Sequence, residues 1–124
     1  MKYKIIACDL DETLLSTDRT ISKKNIEAIK KAKELGVKFV PATGRGFNTV
    51  DNNLKVLDLY DKENEYVISY NGGAITENKG NRLLHFKGIS FDLASKLFKR
   101  GLNYNVCIHI YTKDTVYAYN YIQE

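Results

Sequence analysis

The feature that most constrains this chain is a short apolar run that leads directly into two closely spaced carboxylates. Residues 5–8 are all apolar, Asp9 and Asp11 follow them, and Thr13 comes two positions later. An unbroken apolar run of this length is typical of a strand that is buried on both faces of a parallel sheet. In open α/β sheets, ligands bind outside the carboxyl ends of the strands. The pattern therefore places Asp9 and Asp11 where a binding or catalytic site is expected.

A helical pattern and a second strand follow, and together they indicate a parallel arrangement. Ser22 is a candidate helix N-cap, apolar residues recur at helical spacing as far as Leu35, and Gly36 is suited to end the helix. Residues 37–40 predict the second strand, which Pro41 is expected to end because proline cannot donate to a strand ladder. A strand, a crossover helix and a strand form a βαβ unit, in which the two strands are parallel.

A second helix and a third strand extend this unit. An apolar stripe predicts a helix that packs against a core, and its residues are Phe47, Val50, Leu54 and Leu57. Residues 66–70 predict the third strand. The three strands thus end in short polar and glycine segments, namely Asp9-Leu10-Asp11, Thr43-Gly44-Arg45 and Asn71-Gly72-Gly73. If the strands are parallel neighbours, these segments converge on one edge of the sheet and can closely approach a small anion.

The pattern changes after Gly73, which favours a second module in the last third of the chain. Residues 74–84 predict a β-hairpin, and Ser90 is a candidate N-cap for a helix over residues 91–100 that Gly101 stops. Residues 106–121 alternate as expected of an antiparallel ribbon. We therefore expect an α/β fold. It comprises a partial Rossmann-like parallel sheet, with three core strands and crossover helices, and then the start of an α+β module.

Composition and charge narrow the class of protein. The 124 residues are 44% hydrophobic and 27% charged, which is a globular composition. The apolar residues before Asp9 are too few for a signal peptide, so a cytoplasmic protein is expected. The net charge of +4 comes largely from lysines on predicted helix faces and turns, so neither a nucleic acid nor a membrane is expected as a partner. Cys8 and Cys107 show no metal-binding spacing and no disulfide is expected.

Two carboxylates and a hydroxyl at the end of a strand are compatible with several chemistries. They can bind a hard cation through oxygen, or one carboxylate can attack phosphorus while the other acts as general acid and base. A calcium-binding loop also begins with Asp-x-Asp, but it needs Gly at its sixth position and Glu at its twelfth, where this chain has Leu14 and Thr20. No Walker-type phosphate loop occurs in the sequence either.

Three motifs together resemble the haloacid dehalogenase superfamily. They are D-L-D-E-T-L-L at 9–15, A-T-G-R at 42–45 and N-G-G at 71–73. More narrowly they are similar to the Cof-type phosphatases of that superfamily, whose cap is inserted after the third core strand. The resemblance covers essentially the whole chain and implies a core domain over residues 1–84 and an incomplete cap over residues 85–124. Family patterns often have glycine where Glu12 stands.

The resemblance implies a phosphatase that depends on Mg²⁺ and hydrolyses small phosphorylated metabolites such as sugar phosphates. Asp9 would be the nucleophile that forms an aspartyl-phosphate. Asp11 would protonate the leaving alcohol and later take a proton from the attacking water. Asp9 and Asp11 would also help to hold Mg²⁺. The phosphate- and substrate-binding residues that it implies are Thr43, Gly44, Arg45 and Asn71. For Arg45, a salt bridge or a surface contact without a role in binding is an equally weighted alternative.

The chain departs from the family pattern at its far end. A lysine motif and an acidic cluster follow the cap in the family, and neither has a counterpart before Glu124. We therefore expect little or no activity from these 124 residues alone. A non-catalytic fragment or interaction subunit is one alternative, and a phosphotransferase or mutase of the same fold is another.

The departure from the family pattern also affects which strands flank the first strand. The family's sheet flanks it with strands supplied later in the chain. Without them, Ile5–Asp9 is expected to lie at an open edge with exposed apolar surface and to self-associate there. In the ribbon, His109 and the tyrosines at 111, 117, 119 and 121 are expected to be packing residues more often than pocket residues.

Overall fold

The structure, a computed structural model, describes residues 2–121. Residue 1 and residues 122–124 of the predicted domains lie outside the described residues. The chain divides into two compact units with the boundary between Lys87 and Gly88. The first unit contains a five-stranded sheet in the order β1-β2-β3-β4-β5. Its strands are β1 (Ile5–Asp9), β2 (Lys38–Ala42), β3 (Tyr66–Ser69), β4 (Ala74–Glu77) and β5 (Arg82–Phe86).

The parallel half of this sheet follows the predicted βαβ pattern. β1 pairs with β2 and β2 with β3 in parallel, whereas β3, β4 and β5 pair antiparallel, which confirms the hairpin. Helix α1 (Lys23–Glu34) connects β1 to β2, and α2 (Asp51–Val56) connects β2 to β3. The predicted cap of α1 is confirmed, since the Ser22 side chain accepts a hydrogen bond from the Asn25 N–H at 3.2 Å.

The core cluster of the first unit packs its helices against the sheet. Phe39 of β2 and Val67 of β3 pack there with Ile29 of α1 and Leu54 of α2. Leu10, which stands between the two candidate carboxylates, is fully buried in the same cluster. Burial of a leucine side chain contributes roughly 1.5–3 kcal/mol. The core therefore fixes the backbone at the point where β1 ends.

Pro41 does not end β2 as predicted, because the strand continues to Ala42. The Lys38 N–H donates to the Lys4 carbonyl at 2.8 Å, so the even-numbered residues of β2 bond to β1. Pro41 therefore turns its nitrogen toward β3, where the paired register is confined to Ala42 opposite Ile68. Its missing donor removes no hydrogen bond from the β1–β2 ladder.

The second helix is shorter than the apolar stripe predicted. A 3₁₀ turn over Phe47–Thr49 precedes α2, and Val50 between them has non-helical dihedral angles. The Thr49 hydroxyl and N–H both donate to the Gly46 carbonyl, at 2.8 and 3.0 Å, and close this tight turn. Val50 and Leu54 are buried as predicted, whereas Phe47 is only partly buried.

β1 lies at the edge of the sheet, with β2 as its neighbour among the described strands. Ile5 is 62% exposed and Ile6 is 43% exposed, although Cys8 packs against the core. The expectation that this run is buried on both faces is therefore wrong. The expectation of an open edge with exposed apolar surface is confirmed within the described residues, because no strand of residues 2–121 pairs with the outer side of β1.

The second unit contains one helix and one ribbon. Helix α3 (Phe91–Gly101) begins after Ser90, whose side chain accepts a hydrogen bond from the Leu93 N–H at 3.3 Å, and Gly101 is its last residue. β6 (Ile108–Tyr111) and β7 (Val116–Tyr119) pair antiparallel as predicted. The His109 and Tyr121 rings stack at 6.4 Å between centroids, so ribbon side chains contact one another. None of the helices within residues 2–121 is long and apolar enough to cross a membrane.

The hydrogen bonds of Glu77, at the end of β4, make the stability of the fold depend on pH. Its Oε1 accepts a hydrogen bond from the Asn64 N–H at 2.8 Å, and its Oε2 accepts from Arg82 Nε and Nη2 at 2.9 and 2.7 Å. The Asn64 bond first, and then Arg82, lower the pKa of Glu77 below its ordinary value of 4.5. In the unfolded chain Glu77 therefore takes up its proton at a higher pH than in the folded protein. The stabilisation is fully present when the pH is above the ordinary pKa of 4.5, and it is lost as the pH falls through the lowered pKa.

We therefore expect Glu77→Gln to destabilise the protein at neutral pH and to flatten the loss of stability below about pH 4.5. Urea unfolding at about pH 7 and at a series of more acidic pH values measures both effects. Glu63→Gln is the control, because Glu63 lies in an exposed turn and should leave the acid dependence as it is. Parallel pH curves for wild type and Glu77→Gln would contradict this expectation.

Candidate active site

The three strand ends that the sequence singled out meet in one pocket of the first unit. Its volume is about 340 Å³, and it lies where β1, β2 and β3 end. The pocket is lined by Asp9, Ala42, Thr43, Gly44, Ile68, Asn71 and Gly72. The structure therefore brings together four of the six predicted site residues. Asp11 and Arg45 are not among the lining residues.

The loop after β1 alternates between the core and the pocket side. Leu10 and Leu14 are buried, and the Leu15 N–H donates to the Leu10 carbonyl at 2.8 Å, which closes one wide turn over residues 10–14. The polar residues between the two leucines are exposed. The Thr13 hydroxyl donates to Asp9 Oδ2 at 2.8 Å. This bond holds the Asp9 carboxylate at the mouth of the pocket and leaves Oδ1 without a hydrogen bond from residues 2–121.

Glu12 occupies a strained position in this turn. Its φ of 57° and ψ of 13° lie in the left-handed region, which glycine adopts without steric cost. We expect Glu12→Gly to raise the free energy of unfolding by up to about 1 kcal/mol, after the greater freedom of glycine in the unfolded chain is subtracted. Chemical denaturation measures the change. Glu12→Ala removes the same carboxylate but keeps the Cβ atom, so an equal gain in both variants would show that charge, not backbone strain, is relieved.

Thr43 is held from three sides by the backbone around it. Its N–H donates to the Ile68 carbonyl at 2.9 Å, and its carbonyl accepts from the Asn71 N–H at 3.1 Å. Its Oγ1 accepts a hydrogen bond from the Arg45 N–H at 3.1 Å. Thr43 is only 5% exposed, so its position is well defined. Because Oγ1 acts as the acceptor in that bond, the hydroxyl proton is available to an anion in the pocket.

Gly44 and Asn71 fit together across the pocket. A Cβ atom at Gly44 would lie 3.1 Å from Asn71 Oδ1, so glycine allows the asparagine side chain to pack over it. Asn71 has a φ of 54° and a ψ of 38°, which asparagine tolerates better than most residues. The next residue, Gly72, has a φ of 91° that favours glycine. The Asn71-Gly72 part of the N-G-G motif thus meets a backbone requirement of this turn.

Arg45 forms a two-point ion pair with Asp11. Its Nε donates to Asp11 Oδ2 at 2.8 Å, and its Nη2 contacts Asp11 Oδ1. Of the two alternatives for Arg45, the structure therefore shows the salt bridge. Both side chains are partly exposed, so the pair contributes only about 0–1 kcal/mol to stability. Its main effect is on geometry, because a guanidinium that binds both oxygens fixes the orientation of the carboxylate.

The side chains of Asp9 and Asp11 can be tested against the needs of a metal ion. No group of three or more His, Cys, Asp or Glu side chains suited to a metal occurs within residues 2–121. Asp9 and Asp11 offer hard oxygen ligands, and Asp9 Oδ1 is not engaged by those residues. In proteins, Mg²⁺ is commonly bound through one or two carboxylates together with water and substrate phosphate. The donors present here fit such an ion as one side of its coordination.

Comparison with known proteins identifies the class to which this site belongs. The family model of the haloacid dehalogenase-like hydrolases matches residues 6–124. The chain therefore belongs to the haloacid dehalogenase-like hydrolase family. This assignment agrees with the family indicated by the three sequence motifs.

Individual relatives are phosphatases by name. YxeH of Bacillus subtilis, provisionally named a phosphatase, is 31% identical over 118 residues, which cover 95% of this chain and 43% of that protein. The 5-amino-6-(5-phospho-D-ribitylamino)uracil phosphatase YwtE of the same organism is 34% identical over 111 residues, covering 90% of this chain and 36% of YwtE. The chain thus spans about two fifths of the length of these relatives.

Solved structures share the fold. A haloacid dehalogenase-like hydrolase from B. subtilis superposes with a TM-score of 0.79 at 29% identity, covering 91% of this chain and 38% of the other. The sugar phosphatase BT4131 gives a TM-score of 0.80 at 22% identity, covering 96% of this chain and 45% of that protein. At that identity the second likeness concerns the fold alone.

Proposed function

We propose that this chain forms part of a Cof-type phosphatase that depends on Mg²⁺, acts in the cytoplasm and hydrolyses small phosphorylated metabolites through an aspartyl-phosphate. The observation that carries this proposal is the pocket that Asp9, Thr43 and Gly44 line together at the carboxyl ends of adjacent strands. A carboxylate nucleophile beside a hydroxyl donor and an unobstructed glycine backbone suits a phosphoryl group.

Phosphorylated sugars and sugar alcohols are the substrate class we propose. The relative YwtE is named for a compound that carries a phosphorylated ribityl chain. The pocket is lined with short side chains on its Thr43–Gly44 side, and its volume of about 340 Å³ is in the range of small-molecule sites. A small phosphorylated metabolite is therefore compatible with it.

The proposed reaction has two displacement steps. An Asp9 carboxylate oxygen attacks phosphorus, the bond from phosphorus to the alcohol oxygen breaks, and Asp11 donates its proton to that oxygen. Water then attacks the aspartyl-phosphate, Asp11 takes up the proton of the water, and the bond from Asp9 to phosphorus breaks to release inorganic phosphate. The Thr43 hydroxyl stabilises the charge on the transferring group, and bound Mg²⁺ supplies the further positive charge that this group needs.

The Arg45–Asp11 pair must open during this reaction. While the guanidinium binds both carboxylate oxygens, the carboxylate of Asp11 is directed at Arg45 and not at a leaving group. Release of one oxygen would free Asp11 to face the leaving group. It would also expose part of the Arg45 guanidinium, which is suited to a phosphoryl anion. We therefore assign to Arg45 both a role in placing Asp11 and a role at the substrate.

Removal of the metal tests the proposed function. In the natural protein that carries residues 1–124, we expect release of phosphate from a panel of sugar phosphates and from p-nitrophenyl phosphate with Mg²⁺ present. Chelation with EDTA should abolish it and added Mg²⁺ should restore it. Calcium serves as the control ion, because its larger and more flexible coordination should support turnover poorly. Release that persists in EDTA would contradict the metal dependence, and no release at all would contradict the phosphatase assignment.

One observation favours an alternative for the isolated 124 residues. The lining of the pocket contains no lysine, and residues 2–121 bring no cluster of acids together. A phosphoryl group in this pocket would therefore meet less positive charge than transfer requires. On this reading the isolated chain is a non-catalytic fragment or interaction subunit. The same assay separates the two, because such a fragment binds phosphate without releasing it from any substrate. A phosphotransferase or mutase would instead pass the phosphoryl group to an added alcohol.

A further inference from the structure

Tyr70, the residue before Asn71, contacts three consecutive residues of the loop that follows β2. Its N–H donates to the Arg45 carbonyl at 3.1 Å. Its hydroxyl lies against Gly46, where a Cβ atom would be only 2.7 Å from the hydroxyl oxygen. Its ring meets the Phe47 ring edge to face, with 6.1 Å between the centroids. Tyr70 is not among the residues that line the pocket, so these contacts act on the loop and not on a substrate.

Gly46 provides the space that the Tyr70 ring occupies. Its φ of −70° and ψ of 145° are extended values that any residue adopts, so its backbone does not require glycine. A Cβ atom there would also lie 3.0 Å from the ring carbon Cε1 of Tyr70. Asn48 Oδ1 is the other near atom, at 2.9 Å, but its exposed side chain can turn away. The ring is therefore what makes glycine necessary at this position.

The backbone of Tyr70 is left-handed, with a φ of 51°, which is uncommon for a residue with a large side chain. In an extended strand, the N–H groups of successive residues point to opposite sides. Here the N–H groups of Tyr70 and Asn71 both donate to carbonyls of the same loop, the one after β2. The Tyr70 carbonyl accepts from the Gly73 N–H at 3.0 Å, which closes the turn. Backbone strain of this kind persists where the surrounding structure holds it, and it clusters at functional sites.

We propose that Tyr70 is a positioning residue for Arg45 and, through Arg45, for the Asp11 carboxyl group, a role that rests on the proposed function of Asp11 as general acid. The Arg45 carbonyl accepts from Tyr70, and its N–H donates to Thr43 Oγ1 at 3.1 Å. With both backbone groups bonded, Arg45 is fixed where its guanidinium reaches both oxygens of Asp11. The contacts of Tyr70 therefore help to determine where Asp11 is held.

Kinetics of the natural protein that carries residues 1–124 test this role. Tyr70→Gly removes the ring, and glycine adopts the left-handed backbone without steric cost. It should lower the ratio of kcat/KM for a sugar phosphate to kcat/KM for p-nitrophenyl phosphate by about tenfold, because only the sugar alcohol needs a proton from Asp11. Tyr70→Phe retains the ring and should keep most of the ratio. Tyr66→Ala is the matched control, since Tyr66 is also half-buried but lies at the opposite end of β3, and it should leave the ratio unchanged.

Gly46→Ala tests the same contact from the side of the loop. The added Cβ atom would displace the Tyr70 ring, so the variant should lower the ratio of the two kcat/KM values in the wild-type background. In the Tyr70→Gly background the ring is absent, and Gly46→Ala should have no further effect. An equal change in both backgrounds would show that the two residues act independently, which would contradict the proposed contact.

The placement of Arg45 can also be measured without catalysis. The ¹⁵N relaxation of the Arg45 Nε–H, assigned by its loss in Arg45→Gln, should report a rigid group in wild type, Tyr70→Phe and Tyr66→Ala. It should report a mobile group in Tyr70→Gly. A group that stays rigid in Tyr70→Gly would overturn the positioning role, and so would an unchanged ratio in that variant. Absence of phosphate release from wild type would instead contradict the proposed function, and the relaxation measurement would still decide whether Tyr70 holds Arg45.

Discussion

Replacing Asp9 with asparagine is expected to abolish phosphatase turnover in the natural protein that carries this chain, by at least about a thousandfold. An amide does not attack phosphorus as a carboxylate does, so no covalent intermediate forms. The substitution keeps an oxygen that accepts the Thr13 hydroxyl, so the pocket should hold its shape. Substrate affinity should change much less than the turnover number.

A labelling measurement and a control variant separate a lost nucleophile from a damaged fold. Acid quenching with ³²P-labelled substrate should give labelled wild type, with a label that hydroxylamine removes, and an unlabelled Asp9→Asn variant. Asp18→Asn is the matched control, because Asp18 is an exposed loop carboxylate whose Oδ1 accepts both bonds from Thr20, and asparagine retains that atom. Equal rates in wild type and Asp9→Asn, or a labelled variant, would reject Asp9 as the nucleophile.

The parts of the fold that follow from local physics were predictable. Ser22 and Ser90 cap their helices as expected, because a hydroxyl at the first turn satisfies backbone N–H groups whatever surrounds it. Convergence of the three strand ends followed from the βαβ pattern, since parallel neighbours must end on the same edge. These features depend on residues close in sequence or on topology that short connections impose.

Features that depend on tertiary partners were not predictable. Pro41 lies inside β2 because its nitrogen faces the sparsely bonded side of the strand, and no sequence signal shows which side that is. The burial of residues 5–9 depends on strands next to β1, so the apolar run alone gave the wrong exposure. The break before α2 arises from a turn at Gly46 that Thr49 closes.

The residues of the candidate site also divide into those that could be predicted from the sequence and those that depend on tertiary contacts. The sequence located Asp9, Thr43, Gly44 and Asn71, which the structure gathers around one pocket. The ion pair between Arg45 and Asp11 could not be predicted, because the two residues are far apart along the chain and either side chain could have faced solvent. The contact of Thr13 with Asp9 was within reach, since the two residues are four apart in a tight loop. The left-handed backbone of Glu12 is a further feature of the site loop that was not predicted.

Asp11→Asn is expected to have the second largest effect, and the effect should depend on the leaving group. A general acid contributes typically about 10²–10⁴-fold when the departing oxygen needs a proton. A sugar alcohol needs one, whereas p-nitrophenolate leaves without protonation. We therefore expect kcat/KM to fall by about 10²-fold or more for a sugar phosphate and by much less for p-nitrophenyl phosphate.

The quantity to measure is the ratio of kcat/KM for a sugar phosphate to kcat/KM for p-nitrophenyl phosphate, because general damage to the site would lower both values together. Arg45→Gln is the informative control, since it breaks the two-point ion pair but leaves the Asp11 carboxyl group in place. If Arg45 acts at the phosphate alone, its loss lowers both kcat/KM values and preserves their ratio. Loss of its role in placing Asp11 shifts the ratio in the same direction as Asp11→Asn, but less far. A ratio that Asp11→Asn leaves unchanged would show that Asp11 does not protonate the leaving group. A ratio that Arg45→Gln shifts as far as Asp11→Asn would mean that proton donation requires the pair itself, so that Arg45 and Asp11 act as one unit in the first step.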